Sequence, residues 1–217
     1  MIQLRAAKGT SLSCLSAFDV TNPAAVAHAE AHAAELVTSI SAETRQAINK
    51  IVQRMFVEGI PPKQAAGLIK KIVGLTETQA NAVVNLHQRI LTSEGKLIYA
   101  GNTPIRVPTG GMSAAQLDRV TQKYADRLLR QRAMNIARTE TIKAANEGQM
   151  GLWRQAQARG ELGPNIRHEW IADFSERTCQ VCQGVSGEVV PVGSEFSIGV
   201  TNPPAHPMCR CSTGLVM

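Results

Sequence analysis

Four of the five cysteines lie near the end of this 217-residue chain, together with one histidine. The pattern is Cys179-x2-Cys182, then 23 residues, then His206-x2-Cys209-x-Cys211. A gap of two residues lets both thiolates of the first pair point at one ion from a tight turn, and the other ligands then come from a distant segment. The spacing therefore predicts a small zinc module in which one ion ties two parts of the sequence together.

The pattern offers five ligands for the four tetrahedral positions of a structural zinc ion. The expected set is Cys179, Cys182 and His206, with either Cys209 or Cys211 as the fourth ligand. Arg210 separates the last two cysteines and lets their thiols point in different directions, so that one of them is spare, unless His206 lies outside the coordination shell. Two other interpretations stay open: reduced cysteines without a metal, and disulfides between CQVC and CRC.

The sequence shows no export signal or membrane anchor. The first residues, MIQLRAAKGTSLSCLSAF, lack a long apolar stretch, and nowhere does an apolar run reach the roughly 18 residues that a membrane span requires. We therefore expect a protein kept in a reducing cytosol, where paired cysteines bind metal more often than each other. The fifth cysteine, Cys14, is isolated and is interpreted as an apolar filler or an exposed thiol.

Composition favours a mainly α fold. Aromatic residues make up only 4% of the chain, so alanine and aliphatic residues carry most of the apolar content. We expect a helical N-terminal body with a long helix, joined to a small β-rich, zinc-stapled C-terminal module. The predicted division is a helical region at 1–95, an exposed loop or hairpin at 96–112, a long basic helical region at 113–166 and the Cys/His module at 167–217.

Capping residues predict where the helices begin and end. Gly59 is placed to end a helical run, Pro62 to open the next helix with Ile72 on its apolar face, and Gly74 to end that one. The further start signals are a capping box of Thr76 with Gln79 for a helix running to about Leu91, and Ser113 for the long helix. Extended segments are predicted at LIY, IRV, HEWIAD, GEVVPV and STGLVM.

The positive charge is concentrated in one region. The formal net charge is +6, and the stretch from Asp118 to Arg159 holds nine Lys and Arg against four Asp and Glu. This stretch predicts a surface for nucleic acid or an acidic protein, and the alternative is a solvated helix face. The candidate contact residues are Arg119, Lys123, Arg127, Arg130 and Arg132.

Other patterns compete with a structural zinc site. A zinc hydrolase or nuclease would need a general base, for which the candidates are Glu169, Asp173, Glu176 and Glu188, and their spacing selects none of them. We therefore expect no enzymatic activity. His28 and His32, with Glu35 beyond, could bind a metal on a helix face, but they are expected to be solvated because no further ligand is in view. Two short helices meeting near Gly74 fit a DNA-binding helical hairpin only weakly.

An ordered set of segments resembles the phage Mu F-like minor head proteins, also called head morphogenesis proteins. The set is ARTET (137–141), Asn146, Gly148, Trp153, WIAD, ERTCQVC, Gly187, Phe196 and PPAHPMCRC. The likeness is close from about Leu128 to Cys211 and looser over the preceding helical part. It carries over the same five Cys and His residues as a metal or structural cluster. Arg138, Thr139 and Glu140 carry over as a segment without a catalytic role, interpreted as helix packing with a local ion pair.

The resemblance implies a non-enzymatic component of a virion. Its expected place is the head interior or the portal vertex, with the host cytoplasm as the site of assembly. The implied partners are the portal protein, the major capsid protein and, through the basic stretch, packaged double-stranded DNA. The implied role is head morphogenesis, or DNA packaging and delivery. No membrane partner is expected.

Overall fold

The computed structural model describes residues 42–173 and 175–216. The expectations for Cys14 and for the pair His28 and His32 lie outside these residues. The helices are α1 (Ala42–Glu58), α2 (Pro62–Ile69), α3 (Glu77–Leu91), α4 (Ala114–Ala158) and α5 (Gln180–Val185). The strands are β1 (Leu97–Ala100), β2 (Thr103–Arg106), β3 (Arg167–Ile171), β4 (Val189–Pro191) and β5 (Ser212–Val216). The described chain is mostly helical with a small C-terminal antiparallel sheet, as the sequence predicts.

The predicted helix starts are confirmed. Capping boxes close the first turns of α3 and α4, where Thr76 pairs with Gln79 and Ser113 pairs with Gln116. The predicted end of α2 is wrong, because the helix stops at Ile69 and the next residues form a turn. Hydrogen bonds from residue i to i+3 tighten this turn and carry Ile72 away from the apolar face, so that 38% of its surface is exposed.

Helix α4 is the long helix that the sequence predicts, and it runs for 45 residues. It packs against α2 and α3, and also contacts α1 and β5. Its middle part completes a buried cluster with α1 and α2, which we call the helical core. The fully buried or nearly buried members of the helical core are Ile48, Val52, Met55, Phe56, Ala65, Ala66, Ile69, Val73, Ala133, Ile136, Ala137 and Ala144.

The segment between α3 and α4 forms an antiparallel hairpin, β1–β2, with Ala100 opposite Thr103 at the turn. Its inward residues Ile98 and Ala100 are buried with Leu86 and Ile90 of α3 and Leu117 of α4. The hairpin is therefore fixed to the N-terminal end of α4. Among the described residues, none of the helices combines the length and hydropathy needed to cross a membrane.

The C-terminal module (residues 167–216) contains a three-stranded antiparallel sheet in the order β4-β3-β5. Strand β3 alternates, and its buried residues His168 and Trp170 both approach Phe196, at ring-centroid distances of 4.8 and 5.1 Å. Trp153 of α4 stacks on His168 at 6.0 Å. The aromatic residues thus hold the module against the C-terminal half of α4.

Candidate metal centre

The first ligand pair is positioned by the start of a short helix. Cys179 is the N-cap of α5, and its Sγ accepts a hydrogen bond from the backbone N–H of Cys182 at 3.4 Å. An N-cap side chain points back over the first turn of its helix, where the side chain three residues later also lies. This local geometry brings the two thiols of CQVC to one side of α5.

The second group of ligands is positioned by a turn at His206–Cys209. The backbone N–H of Cys209 donates to the carbonyl of His206 at 3.1 Å, Pro207 is the second residue, and Met208 has a φ of 64°. A proline at the second position and a positive φ at the third are the features of a type II turn. The turn reverses the chain so that His206 and Cys209 both reach the first pair.

The five donor atoms lie in two groups that share Cys182. Its Sγ is 3.3 Å from His206 Nε2 and 3.8 Å from Cys209 Sγ. The Sγ of Cys179 is 3.2 Å from the same His206 nitrogen. Two sets have donor atoms within 4.8 Å of one another: Cys179, Cys182 and His206, and Cys182, Cys209 and Cys211. We call all five residues the Cys/His cluster.

These separations fit a tetrahedral metal ion. Zinc–sulfur bonds of about 2.3 Å and zinc–nitrogen bonds of about 2.0 Å place two ligand sulfurs about 3.8 Å apart and a sulfur and a nitrogen about 3.5 Å apart. The observed distances of 3.8 Å, 3.2 Å and 3.3 Å are close to these values. The Cys/His cluster could therefore hold a metal such as zinc.

The orientation of His206 suits metal binding. Its Nδ1 lies 2.8 Å from the carbonyl oxygen of Pro207, so this nitrogen carries the proton and donates. The lone pair of Nε2 is then directed towards Cys179 and Cys182. Metal-binding histidines commonly have this arrangement, in which the second ring nitrogen donates to a backbone carbonyl.

The thiols of the Cys/His cluster influence one another strongly. A hydrogen bond from the Cys211 thiol lowers the pKa of Cys209 to about 5, whereas burial raises the pKa of Cys182 to about 12. The backbone N–H of Cys182 lowers the pKa of Cys179. The bond to Cys209 and then burial raise the pKa of Cys211. Burial lowers the pKa of His206, but the bond to the Pro207 carbonyl and the nearby thiols outweigh it, and the net pKa is raised.

Besides burial and hydrogen bonds, charge repulsion between the thiols contributes to these opposed shifts. Several thiolates in a buried space repel one another, so protonating some of them is the way to limit the negative charge. A bound divalent cation would remove this repulsion and favour the deprotonated ligands. The donor set is therefore electrostatically suited to a cation.

The surroundings of the cluster are apolar on one side and charged on the other. Cys182, Cys209 and Cys211 are buried with Trp170, Val185 and Phe196. A small cavity beside the cluster is lined on its other side by Asp173, Arg177 and Arg210. The four cysteines described in this module are all free thiols, so the structure holds no disulfide between CQVC and CRC.

The four candidate general bases are placed differently. Asp173 lines the cavity and lies 3.8 Å from the guanidinium of Arg210. Glu188 accepts hydrogen bonds from the backbone N–H and the hydroxyl of Ser197, at 2.7 and 2.6 Å. Glu169 lies in β3, where its backbone is paired with β5, and Glu176 is exposed. Asp173 is thus the candidate that shares a cavity with the Cys/His cluster.

The basic candidates on α4 separate into two groups. Arg119, Lys123 and Arg130 are exposed, and no ion pair reaches them from the part of the chain that the structure describes. Arg127 is half-buried, donates to Ala100 O and Thr103 Oγ1, and lies over the ring of Tyr124 at 5.0 Å. We call Arg119, Lys123, Arg127 and Arg130 the basic stripe, because they fall within an arc of about 80° on the helix.

The prediction for Arg132 as a contact residue is wrong. Only 7% of its surface is exposed, and its guanidinium donates to the carbonyl of Gly74 at 3.0 Å. Helical geometry gives the reason, since Arg132 lies about 140° or more around the helix from every member of the basic stripe. It faces α2 and α3, and it holds the turn between them.

Two residues of α4 approach the cluster without having been predicted to do so. The hydroxyl of Thr139 accepts a hydrogen bond from the backbone N–H of Met208 at 2.9 Å. The side-chain amide of Asn146 donates towards the carbonyl of Cys211 at 3.4 Å. Both residues belong to the segments that carry the resemblance, and that was the only signal in the sequence that could have found them.

Comparison with known families bears on the same region. Residues 108–214, about half of the chain, match the family described as Phage Mu protein F like protein. The match begins about twenty residues before the resemblance seen in the sequence, and it therefore includes the whole of α4 with the basic stripe. No curated protein and no solved structure matches the chain.

Proposed function

Because residues 108–214 belong to the Phage Mu protein F-like family of phage head proteins, we propose that this protein is a structural minor head protein of a tailed phage. Its place is the portal vertex or the head interior, and its role lies in head morphogenesis or in DNA packaging and delivery. The portal protein and the major capsid protein are the proposed partners. Assembly takes place in the host cytoplasm.

The observation that carries this proposal is the extent of the family match. It starts just before α4 and ends within β5, so it includes the Cys/His cluster and the helix that contacts it. A match to the helical pattern alone would favour many unrelated proteins. A match that also spans both ligand pairs favours the family's structural role over a catalytic one.

We propose zinc as the metal of the cluster, with Cys179, Cys182, His206 and Cys209 as its ligands. Cys209 is favoured over Cys211 because it belongs, with His206, to the turn that directs both side chains towards the first ligand pair. Cys209 Sγ also lies 3.8 Å from Cys182 Sγ, the separation expected of two ligands. Cys211, whose Sγ also lies within 4.8 Å of those of Cys182 and Cys209, is then not a ligand and donates a hydrogen bond to the Cys209 sulfur.

The proposed role of the zinc ion is structural. With four protein ligands it supplies a cross-link between α5 and the His206–Cys209 turn and leaves no open position for a substrate. The candidate general bases support this role, since Asp173, which lines the same cavity, is paired with Arg210, and Glu188 accepts hydrogen bonds from Ser197. We therefore propose no enzymatic activity, and a zinc hydrolase or nuclease is the less favoured alternative.

Elemental analysis of the purified full chain tests the metal. We expect about one zinc per chain, retained in Cys211→Ser and lost in Cys209→Ser or Cys179→Ser. Val181→Ala is the matched control, because Val181 lies between the first two ligands and is 54% exposed. A wild-type chain that folds fully without metal would contradict the zinc site, and equal losses in both Cys209→Ser and Cys211→Ser would contradict the choice of the fourth ligand.

Particle composition tests the location. We expect the protein in purified precursor heads and mature heads, in few copies, and expect it to co-purify with the portal protein when heads are disassembled. Its absence from both kinds of head would overturn the assignment to the virion. Its presence in heads that lack the portal would contradict only the proposed contact with the portal protein.

The basic stripe supports a second proposal, contact with packaged DNA. Arg119, Lys123 and Arg130 are exposed on one face of α4, and phosphate contacts require positive charge without sequence recognition. Duplex binding should weaken steeply with salt, and Arg119→Glu with Lys123→Glu should reduce the salt slope by about 2. Arg54→Glu, an exposed arginine on α1, is the control. Binding that does not depend on salt would exclude the phosphate mechanism.

A further inference from the structure

The segment that carries the last ligands is held from outside the C-terminal module. Met208–Cys211 contains the last two residues of the His206–Cys209 turn and leads into β5. Both of its ends are hydrogen-bonded to α4, because Met208 N–H donates to Thr139 Oγ1 at 2.9 Å and Cys211 O accepts from Asn146 Nδ2 at 3.4 Å. Thr139 and Asn146 are 2% and 4% exposed, so water does not compete for either contact.

The spacing of the two α4 residues matches the segment. Residues seven apart lie on one helix face, about 10.5 Å apart along the axis. The hydrogen bonds from Met208 N–H to Thr139 and from Asn146 to Cys211 O place the two ends of the segment at these two positions of α4. One face of α4 therefore contacts both ends of the ligand segment at the same time.

The contact at Met208 falls where the backbone needs support. Met208 has a φ of 64°, in the left-handed region that side chains other than glycine and asparagine rarely adopt. Such a conformation persists when the surroundings fix it. The hydrogen bond from its own N–H to Thr139 fixes the peptide that precedes it, and it thereby holds the turn that directs His206 and Cys209 to the same point.

From these contacts we propose that Thr139 and Asn146 are positioning residues for the Cys/His cluster. They hold Met208–Cys211 in the conformation that presents its ligands, although neither residue is itself a ligand. The consequence for metal affinity rests on the zinc site proposed above. The proposal assigns a role to the ARTET segment and to Asn146, and it makes α4 part of the metal centre.

Metal affinity and local protection test the proposal in the full-length protein. Thr139→Val keeps the shape and removes the hydroxyl, Thr139→Ser keeps the hydroxyl, and Asn146→Leu removes the amide. We expect zinc affinity, measured by competition with a chelator, to fall about 10- to 100-fold in Thr139→Val and in Asn146→Leu and to recover in Thr139→Ser. Hydrogen exchange at the Met208 amide should be faster in Thr139→Val and close to wild type in Thr139→Ser.

Thr141→Val is the matched control. Thr141 lies on the same helix half a turn away, and its hydroxyl donates to Ala137 O at 2.6 Å and does not accept from the Met208 N–H. If Thr139→Val and Thr141→Val behave alike in both measurements, the proposal is overturned. If Thr139→Val does not fold, Thr139→Ser and Asn146→Leu decide it, and unchanged affinity in Asn146→Leu counts against the proposal.

The two measurements separate this proposal from the zinc site. A wild-type chain that binds no zinc would overturn the proposed zinc site. The exchange rate of the Met208 amide would still show whether Thr139 holds the segment. If the wild type, Thr139→Val and Asn146→Leu all bind zinc with the same affinity, the zinc site stands and the positioning role is overturned.

Discussion

The helical core and the C-terminal module bury their side chains in different ways. In the helical core, Ile48, Val52 and Ile69 are fully buried among other aliphatic and alanine side chains. In the C-terminal module, three of the seven buried core residues are cysteines, and the aromatic residues Trp170 and Phe196 supply most of the remaining bulk. The first core depends on many small apolar contacts, whereas the second is built around one group of polarizable ligands.

This difference indicates where the stability of each region resides. Apolar burial is distributed, so the loss of one side chain weakens the helical core only in part. A module of about fifty residues buries little apolar surface of its own, and with the proposed zinc ion bound we expect its stability to be concentrated in the Cys/His cluster. The experiments below test this contrast, from the largest expected effect to the smallest.

Metal removal should give the largest effect and should affect one region. Structural zinc contributes an apparent binding free energy of about 10–16 kcal/mol in small modules. Treatment of the zinc-loaded protein with a chelator should therefore unfold the C-terminal module and leave the helices. The chain has two tryptophans, and both Trp153 and Trp170 contact the module core, so their fluorescence reports on it.

The helical signal in far-ultraviolet circular dichroism should change little in the same experiment. Cys182→Ser should behave like the chelated wild type, and Val181→Ala should behave like the untreated protein. A parallel loss of the fluorescence and helical signals would show that the two regions unfold as one unit, and the contrast would then fail.

Truncation in the helical core should give the next largest effect. Ile69 is fully buried, so Ile69→Ala should reduce the free energy of unfolding by about 2–5 kcal/mol. Ile72→Ala, three residues away and 38% exposed, is the matched control and should change it by less than about 0.5 kcal/mol. Urea unfolding followed by circular dichroism measures both variants. Zinc affinity should not change in either variant. A large loss of zinc affinity in Ile69→Ala would show that the helical core and the C-terminal module depend on each other.

Acid should destabilise the module through His168. Burial, and then the charge of Arg154, lowers the pKa of His168 from 6.5 to about 4 in the folded protein. The unfolded chain therefore binds a proton that the folded chain does not, and this stability is lost as the pH falls from about 6.5 to about 4. The loss should be about 2 kcal/mol by about pH 5.

His168→Phe isolates this contribution, because the cluster ligands are the same in both proteins and respond equally to acid. Urea midpoints followed by tryptophan fluorescence should fall further in the wild type than in His168→Phe between about pH 7 and about pH 5. Equal falls would mean that His168 is charged in the folded module.

The smallest effect is expected at the polar contact of the helical region. Arg132→Ala removes the hydrogen bond to the Gly74 carbonyl and should cost about 1 kcal/mol. Arg130→Ala, two residues away and exposed, should cost less than about 0.5 kcal/mol. Thermal unfolding of both variants measures the difference. If Arg130→Ala is the more destabilising, the assignment of the two faces of α4 is wrong.

Local signals in the sequence predicted much of the fold. Capping boxes and the proline at the start of α2 placed three helix starts, since these residues satisfy backbone N–H groups within one turn. The end of α2 was missed, because a tightened last turn has no distinctive residue. The ligand set was visible from its spacing, but the support from Thr139 and Asn146 was not, because contacts over 69 and 65 residues leave no local pattern.

By itself, the sequence determined the mainly helical composition, the helix starts and the five residues of the Cys/His cluster. The composition and the helix starts follow from residues that act on their near neighbours along the chain, and the cluster follows from the spacing of its Cys and His residues in two segments. Only the tertiary structure decided that Arg132 is buried, that Arg127 holds the hairpin and that α4 contacts both ends of the ligand segment. Those outcomes depend on which face of a 45-residue helix each region covers, and packing between distant segments sets that choice.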